Sequence, residues 1–216
     1  MVSLIGFHDS SLVIDKLCDE TVENNTSVTC FYFDFAARNE QSTINMLGSL
    51  LRQLVNGLEG IPEVVVQGFR NQKKAIGGRG LQVSGILKMF QTIAAKVQVF
   101  ICVDAIDECV PEHRVVVLES LGQILHRSPN TRLFMTGRPH VRREVEIKLD
   151  GEAAFVLIQP TEVGFVTYLR EKLRTDTAPD IMSNTLEADI MKIIPELSSE
   201  TYVGIRTRAK RPQVNC

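Results

Sequence analysis

Three carboxylates, Asp104, Asp107 and Glu108, fall within five positions directly after the apolar run Val99–Val103. Residues of that type, in that place, point to magnesium–nucleotide chemistry. In an open parallel sheet, ligands bind beyond the carboxyl ends of the strands. Asp104 stands at such an end, where a carboxylate can hold Mg²⁺ through water while the metal bridges nucleotide phosphates. Glu108 follows within about a turn and is placed to orient or deprotonate an attacking water, a role Asp107 can share. A plainer reading is open for the same residues: Asp104 ends a strand, and Asp107 and Glu108 favour the first turn of the next helix.

A second strand-like stretch, Thr131–Thr136, follows one helix later and runs into Gly137, Arg138 and Pro139. Thr136 and Arg138 would then share a sheet edge with Asp104. There they could face a γ-phosphate, which suits the paired hydrogen bonds of a guanidinium. The alternative for Arg138 is a surface arginine ahead of a turn proline.

The elements that must position these residues alternate. Residues 10–17 read as a short helix, and 27–35 as a strand rich in β-branched and aromatic residues. Residues 42–55 place Ile44, Leu47, Leu51, Leu54 and Val55 on one helical face. Residues 61–85 suggest a helix and an exposed loop, and 85–95 a further helix. Strand 97–103 precedes a helix opened by Pro111, with Val117, Leu118, Leu121, Ile124 and Leu125 as its stripe. Residues 140–149 read as helix and 153–158 as a last strand. This alternation predicts an α/β fold with a parallel sheet covered by helices. After Pro160 the pattern is helical only, with a helix-start signature at Asn184 and Glu187 and a proline, Pro195, expected to kink or shorten that helix. The expected organisation is a core over 1–160, a helical extension over 161–200, and a disordered basic tail over 201–216.

Composition narrows the function classes. A net charge of −2 gives no general pull toward nucleic acid or a membrane surface, and no apolar run approaches the ~20 residues that span a bilayer. Only Arg206, Arg208, Lys210 and Arg211 argue for nucleic acid, and they read as a solvated tail. The five cysteines form no C-x-x-C pair, and the four histidines have no metal-ligand spacing. There is no G-x-S-x-G nucleophile elbow. A reducing, cytoplasmic setting is the expectation.

The blocks FYFDFAARNEQSTINMLGSLLRQL, VFICVDAIDEC and TRLFMTGRPHVRREVE, in that order and spacing, resemble fungal NACHT-type NTPases. This is the nephrocystin-3-like N-terminal domain of STAND-class P-loop proteins, and the likeness spans about residues 10–197. The resemblance implies a Walker B strand at Val99–Val103 with Asp104, Asp107 and Glu108, and a sensor-like arginine at Arg138. It implies Mg²⁺ and ATP or GTP as cofactors, and a role as a nucleotide-controlled signalling switch.

The same resemblance implies a G-x-x-x-x-G-K-[ST] loop, whose amides and lysine hold the phosphates. The chain contains no such motif. If the helix at 10–17 is the one that follows the loop, the Lys-[ST] pair should fall near Gly6 and Phe7, which cannot serve. Gly80 and Gly85 have the right spacing but are followed by Ile86 and Leu87, and no strand precedes them. The strand before the loop is also missing unless residues 1–6 form a short substitute. Its loss would leave neighbouring strands with unpaired backbone groups. A truncated or degenerate relative is therefore expected, with nucleotide binding and hydrolysis impaired and the chain inactive alone. The alternative is a non-enzymatic interaction module whose partners are NACHT relatives or a second copy, with no nucleic acid and no membrane.

Overall fold

A computed structural model of the chain describes residues 13–19, 26–74, 80–149, 153–158, 162–174, 184–197 and 202–208. A first helix, α1, covers residues 13–19. The proposed substitute strand at residues 1–6 lies outside the described residues.

Strands β1 (Thr26–Tyr32), β2 (Gln98–Asp104) and β3 (Thr131–Gly137) are mutually parallel, pairing Thr26 with Gln98 through Tyr32 with Asp104, and Val99 with Thr131 through Val103 with Met135. The predicted α/β class holds: a three-stranded parallel sheet flanked by helices, with a helical extension. β2 carries the apolar run because it is central. Val99, Ile101, Cys102 and Val103 are all buried, as a parallel strand covered on both faces requires.

The helices between these strands are α2 (Thr43–Asn56), α3 (Glu63–Lys74), α4 (Val83–Ala94) and α5 (Pro111–Arg127). Ser42 caps α2, accepting a hydrogen bond from the Asn45 amide at 3.3 Å. Its buried stripe is Thr43, Met46, Leu47, Leu50, Leu51 and Leu54. That stripe is rotated from the expected face: Ile44 is exposed, and Met46 and Leu50 take the core positions. α5 starts at Pro111 and buries Val117, Leu118, Leu121 and Ile124 as expected. Gly85 lies inside α4, so the glycine pair at 80 and 85 forms no phosphate loop.

After β3, a single 3₁₀ turn over Pro139–Val141 leads into α6 (Arg142–Lys148), and β4 covers Ala153–Ile158. The chain divides into two compact units, Leu157–Tyr202 being the second. Within it, α7 (Glu162–Arg174) and α8 (Asn184–Leu197) contact each other. α8 continues through Pro195 to Leu197, so that proline does not cut the helix short.

One expectation is overturned. Residues Tyr202–Arg208, read as tail, form strand β5. It pairs antiparallel with β3, from Arg132 opposite Arg208 to Gly137 opposite Val203, and the sheet order is β1-β2-β3-β5-β4. The reason is physical. Beneath the basic composition, Val203, Ile205 and Thr207 alternate with Gly204, Arg206 and Arg208 at the two-residue period of a strand.

Candidate functional site

The carboxyl ends of β1, β2 and β3 converge on one edge of the sheet. Asp104 is the last residue of β2 and is buried, at 4% exposure. Ala105 follows in the left-handed region, with φ 53° and ψ 47°. For an L-residue that conformation costs roughly 1–2 kcal/mol. It turns the chain sharply into a 3₁₀ turn over Ile106–Glu108, so the carboxylates that follow Asp104 leave in different directions. Strain of this kind is typical of functional sites.

Each carboxylate has its own protein partner. Asp104 accepts a short hydrogen bond at Oδ1 from the Thr136 hydroxyl, and the same hydroxyl accepts from the Ala105 amide at 3.0 Å. Asp107, whose side chain is 6% exposed, accepts from the Arg138 amide at 3.1 Å and pairs with Arg138 Nε at 3.3 Å. Glu108 Oε2 accepts from the Phe35 amide at 2.9 Å, which ties the turn to the 3₁₀ turn Phe35–Ala37 that follows β1. Burial pushes the Glu108 carboxyl above its usual range. Asp107 and Asp34 add to that, while the Phe35 amide and Arg138 work against it.

Two residues hold this arrangement from behind. Arg114 of α5 donates from Nη1 to the carbonyls of Asp107, at 3.4 Å, and Cys109, at 3.1 Å. Its Nε pairs with Glu144 of α6 at 2.9 Å, in a largely buried setting. Gly137 allows the close approach of the turn to β3. A Cβ there would lie 2.8 Å from Ile106 Cγ2 and 3.3 Å from Val141 Cγ2.

The five residues singled out in the sequence, Asp104, Asp107, Glu108, Thr136 and Arg138, therefore gather at one edge. They are grouped differently from the roles assigned to them. Arg138 lies on Asp107, so it would have to leave that carboxylate to face a phosphate. The pair is half exposed on the arginine side and is worth only ~0.2–1 kcal/mol. Its main effect is to orient. Sequence reasoning missed Arg114, Glu144, Ala105 and the Phe35 amide. No local signal marks them, because each acts on the turn through the fold. Among the described residues, no group of three or more His, Cys, Asp or Glu side chains is arranged to hold a metal ion.

Residues 9–138 match the family described as nephrocystin 3, N-terminal, which covers more than half of the chain and ends on Arg138. The chain belongs to that family. No curated protein matches it. The matched region includes β1, β2 and β3 with the helices between them, and so contains all five residues of the carboxylate edge. Among the described residues, no helix is long and apolar enough to cross a membrane.

The carboxylate edge offers a magnesium–nucleotide only part of what it needs. Asp104 beside a threonine hydroxyl is suitable chemistry for one side of the ion. The rest of the donor set is not there: the sequence has no glycine-rich lysine loop, and Asp107 and Glu108 turn to other partners. The chain's own residues do not fit that group.

Proposed function

We propose that this nephrocystin 3 N-terminal family member derives from the STAND-class, NACHT-type NTPases that act as nucleotide-controlled signalling switches. In it, the carboxylate edge survives as structure while ATP or GTP binding and hydrolysis are impaired. One observation carries the reading. The carboxylates at the sheet edge are each engaged by a side chain or amide of the protein itself, in a chain without a phosphate loop. Asp104 and Thr136 join β2 to β3, and Asp107 and Arg138 fix the turn against β3. In this protein they hold strands in place and cannot assemble a hydrolytic centre unaided.

Titration calorimetry of the full chain with Mg·ATP and with Mg·GTP tests the proposal. The expected result is no heat of binding at micromolar protein. Micromolar binding that disappears in Asp104→Asn would overturn it.

A second reading has an observation of its own. An apolar groove of about 580 Å³ lies between α2 and α3, lined by Leu51, Val55, Val65 and the exposed Ile61 and Phe69. It favours an interaction module that pairs with an intact relative. Sedimentation velocity of the chain with a family member that carries the lysine loop would show a joint species, and Phe69→Asp would abolish it. Separate sedimentation of the two would remove this reading.

A further inference from the structure

We propose that the gap between β3 and β4 is a strand-acceptor slot, and that Tyr202–Arg208 fills it as a replaceable strand held by backbone pairing. The sheet order skips a position. β3 leads through α6 to β4, yet β4 does not lie beside β3, because β5 stands between them. β5 comes last of the strands in the chain and runs against the direction shared by β1, β2 and β3. The slot is thus built by early elements and filled by a late one.

β3 needs an occupant there. Five of its seven residues are buried, and a buried strand cannot leave a row of N–H and C=O groups without partners. The occupant's own sequence, Tyr-Val-Gly-Ile-Arg-Thr-Arg, alternates Val203, Ile205 and Thr207 with Gly204, Arg206 and Arg208, a pattern suited to a strand with one apolar face. Gly204 stands opposite Thr136, and a glycine inside a strand weakens it. Arg206 and Thr207 stand opposite Phe134 and Leu133. Ile205 stands opposite Met135 and Val203 opposite Gly137, so one face of β5 matches β3 and the ladder of backbone hydrogen bonds supplies the rest of the pairing. Recognition of that kind accepts an extended peptide that makes the ladder and keeps the same alternation, as when a strand is added to an open sheet edge.

The slot also bears on the carboxylate edge. Its occupant begins beside Gly137 and Thr136, the two β3 residues that support the turn and Asp104. Whatever strand sits there forms one wall of that edge.

The test uses the full chain with Ile205→Pro. β5 has a neighbour on each side, so a proline within it removes a ladder bond whichever way that amide points. Hydrogen exchange read by mass spectrometry should show the amides of Arg132–Gly137 exchanging at least about tenfold faster, with Thr26–Tyr32 in β1 still protected. A synthetic peptide of the Tyr202–Arg208 sequence, added in excess to the variant, should restore protection to β3. The same peptide carrying the proline should not. Unchanged exchange in β3 would show that β5 does not occupy the slot. Loss of protection throughout β1 as well would show that the strand is an irreplaceable part of the fold. Failure of the peptide to restore protection would show that the slot does not accept a strand in trans. Any of these three results overturns the proposal.

Discussion

The parallel sheet has two outer edges, and the protein finishes them by different means. At β1, two side-chain carboxamides do the work, Gln41 donating to the Tyr32 carbonyl at 3.1 Å. Gln53 of α2 accepts from the Cys30 amide at 2.9 Å and donates to the Cys30 carbonyl at 2.8 Å, with a further contact to Ser49 on its own helix. One carboxamide thus stands in for one residue of a neighbouring strand. At β3, six consecutive residues, Arg132–Gly137, are paired with a complete strand. The difference follows from depth. Every second residue of β1 remains partly exposed over the first five, so water can complete most of its edge. β3 is buried at both ends and has no such recourse. An exposed edge needs only to be blunted, whereas an interior one must be fully paired.

The strongest test of that contrast removes apolar side chains from each strand. Leu133 in β3 is 1% exposed, and Leu133→Ala should destabilise the chain by ~2–5 kcal/mol. Val28 in β1 is half-buried, and Val28→Ala should cost less than about 1.5 kcal/mol, since less area leaves water when it folds. Urea midpoints of the two variants measure this directly. Equal losses would mean that β1 is as deep as β3 and that the contrast between the edges is mistaken.

A smaller effect sharpens the account of the β1 edge. Gln53→Ala removes the donor and the acceptor that serve Cys30, leaving both backbone groups to water. Because Cys30 is only partly buried, the expected loss is ~0.5–1.5 kcal/mol and not the full penalty of orphaned groups. Faster amide exchange confined to Cys30 and its neighbours would accompany it. No change at Cys30 would show that α2 itself, and not the carboxamide, shields the edge.

How much of this was legible in the sequence follows the same division. Val99–Val103 and the stripe of α5 were readable because burial writes apolar residues at fixed spacing. Asp104, Asp107 and Glu108 were readable because they interrupt such a run. The face of α2 was placed about a position off, with Ile44 given a core role that Met46 and Leu50 hold. β5 was passed over because its arginines read as tail, although Val203, Ile205 and Thr207 alternate with Gly204, Arg206 and Arg208 as a strand does; its place in the sheet was not readable. The pairing of Asp107 with Arg138 was equally hidden. It joins residues 31 apart whose individual types had suggested a water base and a phosphate ligand. Local pattern located the site, and only the three-dimensional arrangement decided which side chain answers which.

The smallest expected effect lies where the segment after β1 meets the carboxylate turn. Glu108 accepts from the Phe35 amide, yet burial outweighs that bond and its carboxyl is raised above the usual value. For an acid raised in the folded state, the folded protein holds its proton more tightly than the unfolded chain does. The stabilising contribution is therefore fully present below the unfolded value and is lost as pH rises through the folded one. Glu108→Gln keeps the shape and removes the titration. The difference in urea midpoint between the native chain and Glu108→Gln should shift against the native chain as pH rises from about 4 toward neutrality. A shift in the opposite sense would mean that the Phe35 amide, and not burial, sets the protonation of Glu108. The turn would then be held to the segment after β1 by a charged hydrogen bond.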